Sequence, residues 1–321
     1  LFTKNLPERR ETRMVLWLPH FHDLGLVGGL LSVPFADFRL WLMSPIAFLR
    51  HPFRWLHWMS RVRGTFGAAP NFAYDLCVRR ITPAEREQLD LSSVDTLVNA
   101  AETVRAGTID RFLGTFAPCG LKPSVFTESY GLAEATLYVT GGQLGGPMRF
   151  HNFDRASLDR GSPVEIPDPK PTDNSLLAYR VVPEIPVIVV DPETRRRCAD
   201  HRVGELWIGG AGRASGYWRR PELTEEVFEA YTADTGEGPF LRTGDLGFAA
   251  GDVFFLAGRL KDIVIIRGRN LYPQDIELTV ERSHPLLRPG CTAAFSIEVG
   301  GQERLAVVAQ VARGDAPLDE I

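Results

Sequence analysis

A change of rhythm near Gly142 restricts the folds open to this chain of 321 residues. Up to that point short apolar runs alternate with amphipathic stretches. Residues 14–19 (MVLWLP) read as a buried strand closed by a proline, which cannot continue a hydrogen-bonded ladder. Residues 65–76 (TFGAAPNFAYDL) read as a strand, a tight turn at Pro70 and Asn71, and a helix. Residues 94–98 form a third short strand, and 106–116 follow with Ile109, Phe112, Leu113 and Phe116 recurring at three and four, one face of a helix. Thr82 followed by Pro83 marks a further helix start over 82–89, and Pro45 and Pro52 do the same for 48–63. Within 48–63, Trp55, Trp58 and Met59 are predicted to face the core. Strands alternating with helices imply a parallel sheet covered by helices, so the fold class is α/β.

Beyond Gly142 the helical period disappears. Residues 145–173 are rich in Gly, Pro, Asp and Arg and read as a long insertion. Short strands then dominate, at 187–190, 205–208 and 253–256, which predicts a β-rich subdomain packed on the α/β core. A strand pair or bent strand over 260–267, a helix over 272–283 opening on Pro273, and strands at 293–299 and 305–311 predict part of a small α+β domain. The glycines of 210–216 (GAGRASG) have the wrong spacing for a dinucleotide loop, and Tyr217, Trp218 and Pro221 replace the helix that such a loop needs, so the segment reads as a turn.

Charge and cysteine usage exclude several classes. With 36 basic against 40 acidic residues and no basic stripe, nucleic acid is a poor partner. Cys77, Cys119, Cys198 and Cys291 form no CxxC pair, so neither a zinc knuckle nor a disulfide framework is indicated, and a reducing, cytoplasmic compartment fits. The apolar run 24–36 contains Gly25, Gly28, Gly29 and Pro34 and falls short of the roughly 20 residues a membrane helix needs. The chain begins with Leu1 rather than methionine, which predicts a piece of a longer product.

Two stretches carry candidate chemistry. In 126–142 (FTESYGLAEATLYVTGG) a strand-like start meets Tyr130, Gly131 and, three residues on, the acid Glu134. That offers a flat ring, bare backbone and a possible metal ligand, or equally a strand, a turn and a helix start whose tyrosine packs. His22, beyond the end of the first strand, stands where open α/β sheets bind ligands, though a histidine there can also cap the next helix.

Taken in order, WLPHFHDLGL, NAAE, SYGLAE, GELWIGG with ASGYWRRPE, RTGDLGF and GRLKDIVIIRGRNLYPQDIE resemble the motifs of the adenylate-forming enzymes. WLPHFHDLGLVGG, SPIAFLRHPFRWLHWMSRVRGT, PNFAYDLCVRRI and YGLAEATLYVTGG are similar to one branch, the fatty acyl-AMP ligases. The resemblance implies an adenylate-forming, acyl-CoA synthetase-like fold. Residues 1–258 would be part of the large adenylation domain, with an insertion over about 145–178 that discourages CoA, and 259–321 would start the small domain. It implies activation of a long-chain fatty acid with ATP and Mg2+ to an acyl-adenylate plus pyrophosphate, for transfer to an acyl carrier protein. The alternatives are a long-chain acyl-CoA synthetase and a non-catalytic module that binds lipid or a partner.

Carried over by position, Tyr130 would stack on adenine beside Asn99, Ala100, Ala101 and Glu102, with Ser129 and Gly131 completing the nucleotide site. Glu134 would hold Mg2+, Asp245 and Arg259 would take the ribose, His22 would sit by the fatty acid carboxylate, and Lys261 would be the hinge. The aromatics of 48–59 would line an acyl channel. Two groups of the family pattern are outside this chain: the phosphate loop would precede Leu1 and the catalytic lysine would follow Ile321, so the piece alone is expected to adenylate poorly. NAAET also departs from the more usual Gly-Ala-Glu-Pro, and LLAYRVVPEIP (176–186) aligns poorly with the family's strand and turn.

Overall fold

In the computed structural model, which describes residues 12–142, 148–167, 174–266, 269–299 and 302–312, the first half alternates strands and helices as its sequence predicts. Strand β1 (Arg13–Leu16) leads into α1 (Asp23–Gly25), a π-helical turn over Leu26–Leu31, and α2 (Ser32–Ala36). There follow β2 (Arg39–Leu42), α3 (Pro45–Arg50), α4 (Phe53–Arg61), β3 (Phe66–Ala69), α5 (Asn71–Arg80), α6 (Pro83–Arg86), β4 (Thr96–Asn99), α7 (Ala106–Phe116) and β5 (Phe126–Tyr130). The strands lie in the order β2-β1-β3-β4-β5, and every pairing among them is parallel. Parallel strands are covered on both faces, and β3 and β4 accordingly have no exposed residue.

Local signals explain the helix starts. Thr82 closes a capping box with Glu85, each side chain accepting from the other's backbone N–H. Ser44 caps α3 ahead of Pro45. In α4 the buried face is Trp55, Leu56 and Met59; Trp58, predicted to share it, is more than a third exposed, with the Arg61 guanidinium 5.1 Å from its ring. At about 100° per residue, Trp58 stands about one helical step from the centre of that face.

After Tyr130 the chain does not enter the helix that the packing alternative assumed. A 3-10 turn spans Ala133–Ala135, Thr136 and Leu137 adopt φ of 53° and 79°, and β6 (Thr140–Gly141) returns antiparallel to β5. The amides of Ala135 and Leu137 both donate to the Leu132 carbonyl at 3.0 Å, which closes the reversal. Gly131 is required because a Cβ there would be driven into the carbonyl of Leu137.

The second half is β-rich, as expected. Strands β7 (Phe150–Phe153), β8 (Asn174–Arg180), β9 (Val187–Val190), β10 (Gly204–Ile208), β11 (Leu241–Ala250) and β12 (Val253–Arg259) form a second sheet of order β7-β8-β12-β11-β10-β9, antiparallel throughout. The segment read as an aperiodic insertion contributes β7 and a helical turn α8 (Arg155–Asp159), capped by Asp154 accepting from Ser157 N at 2.8 Å. Helix α9 (Pro221–Phe228) lies between β10 and β11. A hairpin of β13 (Val264–Ile266) and β14 (Arg269–Leu271), helix α10 (Pro273–Ser283), and the antiparallel pair β15 (Leu287–Val299) and β16 (Gln302–Val311) follow. The strand pair expected over 260–267 thus straddles 264–271 instead. Arg155 of α8 is ion-paired with Asp159 and with Asp275 of α10.

The two six-stranded sheets share one apolar core. Where they meet, Tyr130 at the end of β5 presents its ring edge-on to Tyr179 of β8 at 6.0 Å and to Phe254 of β12 at 5.8 Å.

Candidate active site

The seam between the sheets collects most of the residues singled out in the sequence. The Tyr130 hydroxyl donates to Asp245 Oδ2 at 2.7 Å, and Arg259 Nε donates to Asp245 Oδ1 at 2.9 Å. These contacts bring β5, β11 and β12 to one carboxylate. Strand register makes the second contact: Asp245 and Arg259 are direct partners in the β11–β12 ladder. Burial pushes the Asp245 carboxyl above the usual carboxylate range, opposed by the Tyr130 hydrogen bond and the Arg259 charge. Burial and then the Asp245 charge raise the Tyr130 hydroxyl, which keeps it a donor. Among the described residues each Asp245 oxygen has one side-chain donor, which leaves it a lone-pair direction for a hydroxyl. Tyr130 itself is buried, as the packing alternative required, while its hydroxyl gives it a role that packing alone does not.

Asp245 is held by a braced turn. Gly244 has φ of 71°, and its N–H donates to Glu205 Oε1 at 3.1 Å. The other oxygen of the buried Glu205 accepts from Trp207 Nε1 at 2.9 Å and from Arg242 at 2.8 and 3.0 Å. Thr243 Oγ1 donates to the Leu206 carbonyl at 2.7 Å and accepts from Asp245 N at 3.0 Å. The sequence reading missed Glu205, Arg242 and Thr243 as supports, although they lie in two of the quoted motifs, GELWIGG and RTGDLGF.

Glu134 stands on the 3-10 turn and is partly exposed. Its Oε1 accepts the Tyr217 hydroxyl at 2.6 Å, and its backbone carbonyl accepts Ala214 N at 2.7 Å. Burial, then the Glu134 carboxylate, push the Tyr217 hydroxyl up to about 12. The charge of Glu134 also raises Asp245 slightly. Segment 210–216 is a turn, as its sequence predicts.

Residues 99–102 are less uniform. Asn99 is fully buried and donates to Asn71 Oδ1 at 2.9 Å, while its own Oδ1 has no partner. Glu102 turns away to accept the Phe72 N–H at 3.1 Å at the start of α5, and burial raises its carboxyl. Ala100 is buried, and Ala101 holds φ of 72°, a strained value for a residue with a Cβ and one that gathers at functional sites. Because β4 and β5 are parallel neighbours, with Asn99 opposite Glu128, the 99–102 turn and the Ser129–Gly131 backbone leave the sheet side by side.

His22 does not join this cluster. Its Nδ1 accepts Leu24 N at 3.2 Å and lies 2.7 Å from Asp23 Oδ1, the capping role that the sequence left open, with the side chain half exposed. The segment after it does reach the seam: a Cβ on Gly28 would stand 3.1 Å from Leu137. Between them lies an apolar slit lined by Leu16, Leu24, Gly28, Phe66, Ala68, Val98, Ser129, Leu137 and Tyr138. The aromatics of 48–59, expected to form an acyl channel, do not line this slit: Phe48 stacks on Trp17 at 4.0 Å and Trp55 is bonded to the Val15 carbonyl at 2.9 Å, both inside the core. Lys261 is exposed in the turn after Arg259.

The ligand donor set fits a magnesium nucleotide. Mg2+ is commonly held by one or two carboxylates plus substrate phosphates, and Glu134 offers an oxygen, Oε2, that accepts from no described residue. Among the described residues no three His, Cys, Asp or Glu side chains gather into a protein-only cage. No helix of the described residues is long and apolar enough to cross a membrane.

Comparison with known proteins identifies the family. The family model for AMP-binding enzymes matches residues 2–218. A medium-chain-fatty-acid–[acyl-carrier-protein] ligase, JamA of Moorena producens, is 46% identical over 303 residues, covering 92% of this chain and 51% of that protein. The long-chain-fatty-acid–AMP ligase FadD26 of Mycobacterium marinum is 38% identical, covering 97% of this chain and 53% of its own length. The crystal structure of the fatty acyl-adenylate ligase of Legionella pneumophila in complex with acyl adenylate and pyrophosphate superposes with a TM-score of 0.76 at 35% identity, covering 99% of this chain and 57% of that one. The chain spans about half the length of the curated relatives it matches. It belongs to the AMP-binding enzyme family and has the adenylate-forming fold.

Proposed function

We propose that the whole protein joins a fatty acid to AMP and passes the acyl group to a carrier protein. The observation that carries the reading is the meeting of Tyr130, Asp245, Arg259 and Glu134 at a seam that also closes an apolar slit at Ser129. In the reaction a carboxylate oxygen attacks the α-phosphorus of ATP, a P–O bond forms, and pyrophosphate leaves with the electron pair of the broken bond. Both reactants are anions, so positioning and charge compensation are the protein's tasks.

Asp245 and Arg259 take the ribose, with the Tyr130 hydroxyl fixing the carboxylate that accepts it. The adenine lies by Ser129, Gly131 and the turn of Asn99, Ala100, Ala101 and Glu102. Glu134 holds Mg2+, which when bound offsets phosphate charge. The acyl chain lies on the slit's side of the seam, with His22 near the carboxylate end. Residues 259–321 belong to a small domain hinged at Lys261, and 145–178 to an insertion that discourages CoA. A long-chain fatty acid and a cytoplasmic setting, where ATP and Mg2+ are abundant, complete the proposal. JamA, named for an acyl carrier protein, supports the choice of acceptor class.

The test is pyrophosphate release, with hydroxamate trapping of the adenylate, on the full-length protein with fatty acids from octanoate to stearate. ATP binding without turnover on any of them would refute the assignment. Added CoA separates the alternative: a thioester formed as fast as the adenylate would replace the carrier protein as acceptor.

A further inference from the structure

The 210–216 turn delivers one aromatic residue with unusual exactness of aim. Gly216 has φ of 138°, and a Cβ there would be driven into the Thr224 side chain, so only glycine lets the chain turn against α9 at this point. Immediately after it, Tyr217 N donates to Thr224 Oγ1 at 2.9 Å, and the ring meets Phe228 edge-on with centroids 5.1 Å apart. Two anchors on α9 therefore fix the ring. The hydroxyl that results reaches across 83 residues of sequence to Glu134 Oε1 at 2.6 Å, a length typical of a hydroxyl donating to an ionised carboxylate. The same turn grips the glutamate's backbone: Ala214 N donates to the Glu134 carbonyl, and Thr136 Oγ1 donates to the Gly212 carbonyl, each at 2.7 Å.

A glutamate on a three-residue turn has much rotamer freedom to lose when a ligand binds. Here that freedom is removed in advance, and asymmetrically. Oε1 already accepts the phenol, whereas Oε2 accepts from no described residue and is the freer oxygen for a ligand. We propose that Tyr217 is a positioning residue that makes Glu134 a one-oxygen ligand, presenting Oε2 alone to the divalent cation carried by ATP. The inference rests on the reading of Glu134 as the metal carboxylate. It has a specificity corollary. Mg2+ needs near-octahedral geometry and keeps several waters, which suits one-oxygen ligation, whereas Ca2+ readily takes a carboxylate through both oxygens. A phenol on Oε1 works against the second mode, so it favours Mg2+ over Ca2+.

The experiment uses the full-length protein with Tyr217→Phe, Glu134→Gln and Phe228→Leu. Binding of Mn2+ in the presence of a non-hydrolysable ATP analogue is followed by electron paramagnetic resonance, and the Mg2+ dependence of pyrophosphate release is measured alongside. Loss of a hydrogen bond to a charged group corresponds to about a tenfold weakening of Mn2+ binding in Tyr217→Phe. The half-saturating Mg2+ concentration rises by a similar factor, turnover at saturating Mg2+ changes little, and Ca2+ competes better than in the parent. Phe228→Leu loosens one of the two anchors, lowers the melting temperature, and shifts metal half-saturation less than Tyr217→Phe does, because Thr224 still holds the Tyr217 backbone. Unchanged metal binding in Tyr217→Phe, with Glu134→Gln deficient, overturns the positioning role alone. Equal shifts in Tyr217→Phe and Phe228→Leu overturn it too, by reducing it to packing. Normal metal binding in Glu134→Gln overturns both this inference and the metal reading beneath it.

Discussion

Replacing Glu205 by glutamine tests the brace behind Asp245. The carboxylate accepts from Trp207 Nε1, from two nitrogens of Arg242 and from Gly244 N, at 2.8 to 3.1 Å, in a residue 2% exposed. Glutamine keeps the shape but has one acceptor oxygen. Its amide nitrogen must face either the guanidinium or the Gly244 N–H, donor against donor. Breaking a buried ion pair costs about 3–5 kcal/mol. The Arg242 side chain is 17% exposed, so water relieves part of the stranded charge and the lower bound applies. At about 3 kcal/mol, and with about 2.1 cal/mol/K of unfolding entropy per residue over the 321 residues of this chain, the melting temperature falls by about 4–5 °C. Calorimetry on the full-length protein reads this directly. Replacing both Glu205 and Arg242 by methionine recovers most of the loss, because an apolar pair strands no charge. Nucleotide affinity stays reduced in that double variant, since Gly244 N has lost its anchor one residue before Asp245. A fall below about 2 °C in Glu205→Gln, with Arg242→Met equally mild, would show that the carboxylate does not act as a charged acceptor.

Three other outcomes are expected. Gly131→Ala forces a methyl into the Leu137 carbonyl, so the β5–β6 reversal opens and both melting temperature and nucleotide binding drop; a folded variant that binds ATP normally would contradict the close approach. Burial raises the Glu128 carboxyl, so its proton is held to higher pH in the folded state than in the unfolded one, where it leaves near 4.5. Stability from this group is therefore complete below that value and lost as pH rises through the folded one, and Glu128→Gln raises the melting temperature at about pH 8 but not at about pH 4. An equal gain at both pH values would point to a cause other than charge burial. Lys261→Pro stiffens an exposed turn whose own N–H makes no described backbone hydrogen bond, so adenylate turnover falls; unchanged turnover would remove the hinge.

What the sequence revealed follows the range of the forces involved. Helix α7 matches its predicted span because its apolar period is written within eleven residues, and α6 starts at Thr82 because a capping box is local. The β5–β6 reversal was not legible: 133–137 favours a helix by composition, and what prevents it is the Gly131–Leu137 contact and a return strand. Strand β11 was hidden by Gly244 at positive φ inside it. In the site, Tyr130, Glu134, Asp245 and Arg259 came from motif resemblance, whereas Tyr217 and Glu205 act through partners 83 and 39 residues away and carry no periodic signal. Trp58 went wrong because its angular place on α4 is decided by where the sheet lies, not by its hydrophobicity.

The Tyr130–Asp245 bond joins residues 115 apart in sequence. During synthesis at about 5–20 residues per second, Asp245 leaves the ribosome roughly 6–23 s after Tyr130. For that interval the parallel sheet can be fully formed while its Tyr130 edge has neither Asp245 nor the Phe254 ring to cover it. A nascent chain therefore presents an aromatic, half-built cleft before it can hold a nucleotide, and it is in that window, rather than in the finished protein, that a chaperone would find apolar surface to hold.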